Sequence, residues 1–242
     1  MLRVTSGVGL ALWLMACGPE EPIDTGTYDP AADPDGDGLT NQEEENLGLD
    51  NRNPDTDGDG FTDGAEVKAN TSPSDAEDYP YAGGWDIGAC RDAVQPTGKN
   101  VGDIATDFAL VDQYGEEVTL HSFCDRVVLV VSMQTNPYQE MDDIVDDEYL
   151  PLWQEYERVG LMVISLLGPE EGVEPTPEAA MAWADTQSLT HPVLSDVGWE
   201  VTRVFTGGPD PVAPSYSLFD RGVKIAQLDR ALDVNYVLAL LD

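Results

Sequence analysis

The chain is short of positive charge, histidine and cysteine. Eleven Lys and Arg stand against 47 Asp and Glu in 242 residues, a formal charge of −36. Such a surface repels phosphate backbones and anionic bilayers, which argues against nucleic acid and against membrane binding through basic patches. The two histidines, His121 and His191, share no metal-ligand spacing, and Ser/His/Asp catalysis would have to recruit one of them. His121 lies in a turn near Cys124 and His191 precedes Pro192 at a strand start; both read as surface or packing residues. The cysteines are Cys17, Cys90 and Cys124, with none in the last 118 residues. The apolar run Val4 to Met15 is too short to span a bilayer as a stable helix. Against these shortages stands 41% hydrophobic content, enough for a core and too much for global disorder.

At the N-terminus one Arg precedes that apolar run, which ends in Leu14-Met15-Ala16-Cys17. This resembles the lipobox of bacterial lipoproteins, in which the cysteine thiol receives a diacylglyceryl group and the preceding peptide is removed. The resemblance implies a signal peptide over 1–16, lipidation of Cys17 and an exported protein anchored in the membrane through its N-terminal lipid. Gly18, where an aspartate would retain the protein at the inner membrane, implies an outer-membrane destination. The alternative is an ordinary secretory signal with a chance cysteine. Export leaves Cys90 and Cys124 as an even pair in an oxidising compartment, so a disulfide is expected. Its 34-residue separation would stabilise the fold by roughly 3–4 kcal/mol through the unfolded chain. Two free thiols are the alternative.

Residues 17–30 are polar, Pro/Gly-rich and without periodicity, as in a flexible tether. Over 31–80 short acidic runs recur. "DPDGDGLTNQEE" (33–44) is followed 22 residues later by "DTDGDGFTDGAE" (55–66). Both satisfy D-x-D-x-D-G-x5-E. Calcium takes six to eight oxygens at about 2.3–2.6 Å, and carboxylates at alternate positions can wrap one ion. Asp33, Asp35 and Asp37 would supply the first three ligands, Gly38 the sharp turn, Leu39 its carbonyl, Asn41 a direct or water-mediated contact and Glu44 the closing carboxylate. In the second loop the roles fall to Asp55, Asp57, Asp59, Gly60, Phe61, Asp63 and Glu66, with Asp50 and Asn53 as further candidates. A solvating acidic linker is the bland alternative. Paired EF-hands do not fit, because Gly48 and Pro54 interrupt the only segment that could hold their helices. The segment resembles the bacterial version of thrombospondin type 3 repeats, which implies calcium as cofactor and a stiff, structural spacer.

From 81 to 242 the composition turns globular. Residues 81–100 hold little regular pattern and form an N-terminal extension. Strands are expected over 107–112, 126–132 and 161–167, the last two as continuous β-branched runs buried on both faces. A helical stretch should run to about Arg158, with Met141, Val145, Leu152, Tyr156 and Val159 near one stripe and Pro151 kinking or dividing it. A helix over 176–187 has Thr176 as N-cap and Pro177 in its first turn. A hairpin over 215–229 and a helix over 235–241 complete an α/β sheet.

Three segments carry a second resemblance: "VGDIATDFALVDQYGEEVTL", "HPVLSD" and "APSYSLFDRGVKIAQL". In that order they resemble the thioredoxin-like thiol-disulfide reductase and peroxiredoxin superfamily. The resemblance implies a thioredoxin-like α/β fold with Pro214 at the cis-proline position. It also places the family's Cys-x-x-Cys pair within "VVSMQTNPYQEM" (130–141), where Asn136 and Gln139 stand instead. Slipping the register rescues nothing, since no cysteine follows 124. Thiol exchange needs an ionisable sulfur at a helix N-terminus, and a carboxamide supplies none. Cys124 precedes the central strand, so it would lie about 23 Å from the junction that follows it.

A non-catalytic role in partner binding or display is therefore expected, with a protein or peptide partner held by Asn136, Gln139 and the 213–215 backbone. The alternative is a thiol oxidoreductase or peroxidase using Cys90 and Cys124 as a mobile pair. The acidic cluster Glu140, Asp142, Asp143, Asp146, Asp147 and Glu148 suits the positive end of a helix, with a third calcium site as the sharper reading.

Overall fold

The computed structural model describes residues 28–134, 145, 149–206 and 213–242. Asn136, Gln139, Cys17 and all of the 140–148 acidic cluster lie outside these residues.

The two continuous apolar runs become the centre of the sheet. β3 (Val127–Met133) and β4 (Leu161–Leu167) are seven residues each, and every one is buried. They pair in parallel from Val127↔Leu161 to Met133↔Leu167. Burial on both faces removes the need for polar alternation, which is why these strands read as unbroken hydrophobic stretches. β6 (Ser215–Asp220) lies antiparallel on the other flank of β3, with Val131 opposite Tyr216 and Ser132 opposite Ser215. β7 (Lys224–Arg230) follows β6 through the Arg221-Gly222 turn, and β5 (Val193–Ser195) pairs with β4. The five-stranded order is β5-β4-β3-β6-β7. A parallel crossover, then a hairpin beside the first of its strands and a closing helix, is the thioredoxin-like fold. A separate hairpin, β1 (Ala109–Val111) and β2 (Glu117–Thr119), lies upstream. Gln113, in its turn, closes the edge of β5: its side chain donates to His191 O at 3.1 Å and accepts from Val193 N at 2.8 Å.

In the acidic segment a two-turn helix follows each loop: α1 (Asn41–Leu47) after the first and α2 (Asp63–Ala69) after the second. Thr40 and Thr62 cap them, Thr40 in a reciprocal pair with Glu43. In the globular part α3 (Leu150–Tyr156) has Pro151 in its first turn. Val145 and Tyr149 before it are already helical with a wider turn, so Pro151 divides the helical stretch where one helical form gives way to the other. Val145 and Leu152 are buried, but Val159 is 57% exposed, against the expectation that it continues the stripe. The α-helix has ended by then: 157–159 form a tighter turn that closes on Gly160 at φ +109°. α4 (Pro177–Gln187) is capped by Thr176, whose side chain accepts from Ala179 N at 3.2 Å. α5 (Glu200–Thr206) and α6 (Val234–Leu241) complete the layers.

The 81–100 extension has one short helical turn, Arg91–Ala93. Its order comes from distant partners instead. Cys90 is disulfide-bonded to Cys124 with Cα atoms 6.0 Å apart, Gly88 N donates to Ser122 O at 2.7 Å, and the Trp85 indole donates to Thr190 O at 2.9 Å.

Candidate functional site

Two places hold the residues singled out above: the acidic loops and the mouth of the sheet. The loops share three hydrogen bonds at equivalent positions. In the first, Asp33 accepts from Gly36 N (2.8 Å) and Gly38 N (3.2 Å), and Asp37 accepts from Leu39 N (2.8 Å). In the second, Asp55 accepts from Gly58 N (2.7 Å) and Gly60 N (3.1 Å), and Asp59 accepts from Phe61 N (2.8 Å). Gly38 and Gly60 stand at φ +104° and +105°, a conformation that a side chain strains and glycine does not. Each loop gathers one carboxylate oxygen from each of three aspartates within 4.8 Å: Asp33, Asp35 and Asp37, then Asp55, Asp57 and Asp59.

The helices bring the fourth acid back over each loop. Glu44 on α1 and Glu66 on α2 are fully buried, and none of their carboxylate oxygens has a hydrogen-bond partner. Both oxygens of Asp35 and one each of Asp57 and Asp59 are orphaned in the same way. Burial, and then repulsion from the neighbouring aspartates, pushes Glu44 and Glu66 up to about 7. Buried oxygens without donors, close enough to repel one another, are what an oxygen-seeking divalent cation satisfies. The residues present fit calcium: Asp33, Asp35, Asp37 and Glu44 would hold one ion, and Asp55, Asp57, Asp59 and Glu66 another.

The other proposed ligands are placed differently. Asn41 donates to Asp29 O at 2.7 Å and accepts from the Asn51 amide at 2.6 Å. Asp63 accepts from Thr56 N at 2.8 Å and from the Thr56 hydroxyl at 2.6 Å. Asp63 thus ties the second loop across itself, whereas Asn41 ties α1 to residues on either side of the first loop. Asn53 donates to Asp55 O at 2.7 Å, and Asp50 is exposed and accepts from Arg52 N at 3.3 Å.

One residue that the loop pattern does not select is Gly64. Its N–H donates to Asp37 Oδ2 at 2.8 Å across 27 residues, joining the start of α2 to the first loop. Asp63 beside it contributes to the repulsion on Glu44. The two loops therefore share one electrostatic neighbourhood.

At the mouth of the sheet the Ala213–Pro214 peptide is cis, and the next residue, Ser215, pairs with Ser132 at the C-terminal end of β3. The Ser132 and Thr202 hydroxyls are 3.0 Å apart, and Thr202 donates to Asp196 Oδ2 at 2.6 Å. Asp196 is buried and also accepts from Val201 N and Thr202 N, so it serves as the staple of α5. Among the described residues this rim holds hydroxyls and no sulfur nucleophile; Met133 is fully buried. Cys124 lies three residues before β3 and Ser132 six residues into the strand, so the disulfide and the cis-proline occupy opposite ends of the sheet.

Both histidines are packing residues. His121 Nε2 meets Ala105 O at 3.0 Å. His191 is fully buried, 2.9 Å from the Ser165 hydroxyl and edge-on to Tyr149 and Trp153.

The family model described as the bacterial TSP3 repeat matches residues 33–48 and 55–76. Over those residues the acidic segment is similar to the bacterial TSP3 repeat. No curated protein sequence matches the chain. Among solved structures, the thioredoxin domain of a thiol-disulfide oxidoreductase from Bacteroides vulgatus is 16% identical at TM-score 0.47, over 59% of this chain and 99% of that one. A thioredoxin-family thiol:disulfide interchange protein from Chlorobium tepidum TLS is 18% identical at TM-score 0.45, over 61% of this chain and 98% of that one. A thiol:disulfide interchange protein from a Bacteroides species is 16% identical at TM-score 0.47, over 58% of this chain and 88% of that one.

Proposed function

We propose that the protein is an exported, lipid-anchored component of the bacterial envelope, held through Cys17 at the outer membrane. Its TSP3 repeats bind calcium and act as a stiff spacer. Its thioredoxin-like domain is redox-inactive and serves for binding or display, with a peptide or protein partner lying along the 213–215 backbone. One observation carries the reading: Cys90 and Cys124 are joined to each other at the end of β3 away from the cis-proline. Thiol exchange needs a thiolate where a partner disulfide can reach it. Cys124 is 1% exposed and sits under the extension, so the bridge supports a structural role.

For calcium, the support is the set of buried, unpartnered carboxylate oxygens in the two loops. Carboxylates forced together without a counter-ion repel one another, and a bound divalent ion reverses the sign of that interaction.

The deciding experiment is mass spectrometry of the purified soluble chain equilibrated with thioredoxin or glutathione buffers, together with an insulin-reduction assay. A Cys90–Cys124 bridge that stays oxidised, with no turnover of insulin, is the expected result. Rapid reversible reduction with turnover would replace this reading with an oxidoreductase or peroxidase working through that pair.

A further inference from the structure

Where β3 and β4 begin, at the end of the sheet away from the cis-proline, a cavity of about 930 Å³ opens between the 83–86 strap, Asp125 and Arg126, the 157–160 turn and Arg221. Its back is built from Trp85 and Trp153, both buried. Their indole N–H groups donate to the same residue, Trp85 to Thr190 O at 2.9 Å and Trp153 to the Thr190 hydroxyl at 2.8 Å, which fixes the wall. Gly83 lies on the Trp85 ring, where a Cβ would come within 2.4 Å. Three of the chain's 11 cationic side chains, Arg126, Arg158 and Arg221, line this one cavity.

Local pairing uses only part of their donor capacity. Arg126 donates through Nη1 to Glu157 O at 3.1 Å and through Nη2 to Asp86 at 3.0 Å, while its buried Nε has no partner. Arg221 donates through Nη1 to Leu240 O at 2.8 Å, and its Nη2 stands over Gly160, 3.4 Å from where a Cβ would be. Arg158 reaches the Glu157 carboxylate at 3.7 Å and is otherwise exposed. Planar guanidinium forks with N–H groups to spare match an anion with two coplanar oxygens. Asp86, Asp125 and Glu157 line the same space. Their three charges offset those of the three arginines, so the lining has no surplus positive charge, and against the chain's net −36 a phosphate dianion is repelled more than a singly charged carboxylate.

We propose that this cavity binds a carboxylate group, carried by a small organic acid or by the end of a peptide chain. The site is separate from the acidic loops and from the cis-proline groove, and it stands whether or not those readings hold.

The test follows the Trp85 and Trp153 indole N–H resonances of the isotope-labelled, calcium-loaded protein. The probes are N-acetylalanine, an acetylated tetrapeptide with a free C-terminus, the same tetrapeptide as its amide, and inorganic phosphate. Saturable shifts are expected with both carboxylates, and at least tenfold weaker binding with the amide and in Arg221→Gln and Arg158→Gln. Both arginines are exposed, so these variants should keep the rest of the spectrum unchanged. Tighter binding of the tetrapeptide than of N-acetylalanine assigns the site to peptide ends, and equal binding assigns it to small acids. No saturable shift at millimolar probe, equal binding of the amide, or tighter binding of phosphate overturns the proposal.

Discussion

A Cβ on Gly64 would lie 2.3 Å from the Asp37 carbonyl oxygen, a backbone atom that cannot swing aside. Gly64→Ala must therefore push the start of α2 off the first loop and break the Gly64 N–Asp37 bond. We expect a loss of about 1–3 kcal/mol, read as a lowered melting temperature at fixed calcium. Glu44→Gln keeps the shape of its side chain and removes one negative charge from a candidate cation site. Calorimetric titration should show calcium binding weakened by roughly tenfold or more at one of two sites. His191 sets a different dependence. Burial holds its imidazole down to about 3, against about 6.5 in an unfolded chain. Its surroundings, Tyr149, Trp153 and Ser165, carry no charge that could hold a proton there. The unfolded state thus takes the proton first. Stability is full above about 6.5 and falls as pH drops toward about 3, by up to ~1.4 kcal/mol per pH unit. In His191→Gln the acid limb of a denaturation-versus-pH series should be shallower than in the parent.

At the scale of elements, what could be read in advance follows the range of the forces involved. β3 and β4 announce themselves because a strand buried on both faces must be apolar at every position, and α4 because Thr176 and Pro177 are local signals. The clustering of Asp33, Asp35 and Asp37, and of Asp55, Asp57 and Asp59, is legible for the same reason, because alternate positions in a tight loop bring carboxylates together. Gly64 is not, since its reason for being glycine lies 27 residues away. Nor is the 81–100 extension, whose bonds reach Ser122 and Thr190 rather than its own neighbours. Those bonds qualify the part played by the disulfide. Cys90→Ser should lower stability by about 2–4 kcal/mol through the unfolded chain. Loosening, seen as faster amide exchange, should centre on 89–94, because Trp85 and Gly88 keep their own anchors. Exchange unchanged across 81–100 would remove the tie.

For the whole molecule the acidic excess has two destinations. Part is concentrated in the two loops, where it is useful only with a counter-ion. The rest is spread over a surface that keeps polyanions away. Calcium removal should therefore act unevenly. With chelator, protease cleavage should appear within 31–80, whose few apolar residues cannot hold it together, while the five-stranded sheet, with its own continuous core, stays resistant. Loss of both together would mean that the repeats and the sheet form one cooperative unit.

The seam between them has a mechanical meaning. Asn70, which ends α2, donates its side-chain amide to Ile87 O at 2.8 Å, and Arg91 forms an ion pair with Asp78. From Ile87 the strap runs through the Cys90–Cys124 bridge to the start of β3. A load applied at Tyr28 would enter the fold at the end of the sheet where β3 begins, and Pro214 lies at the other end of that strand, a full strand-length from the point of entry.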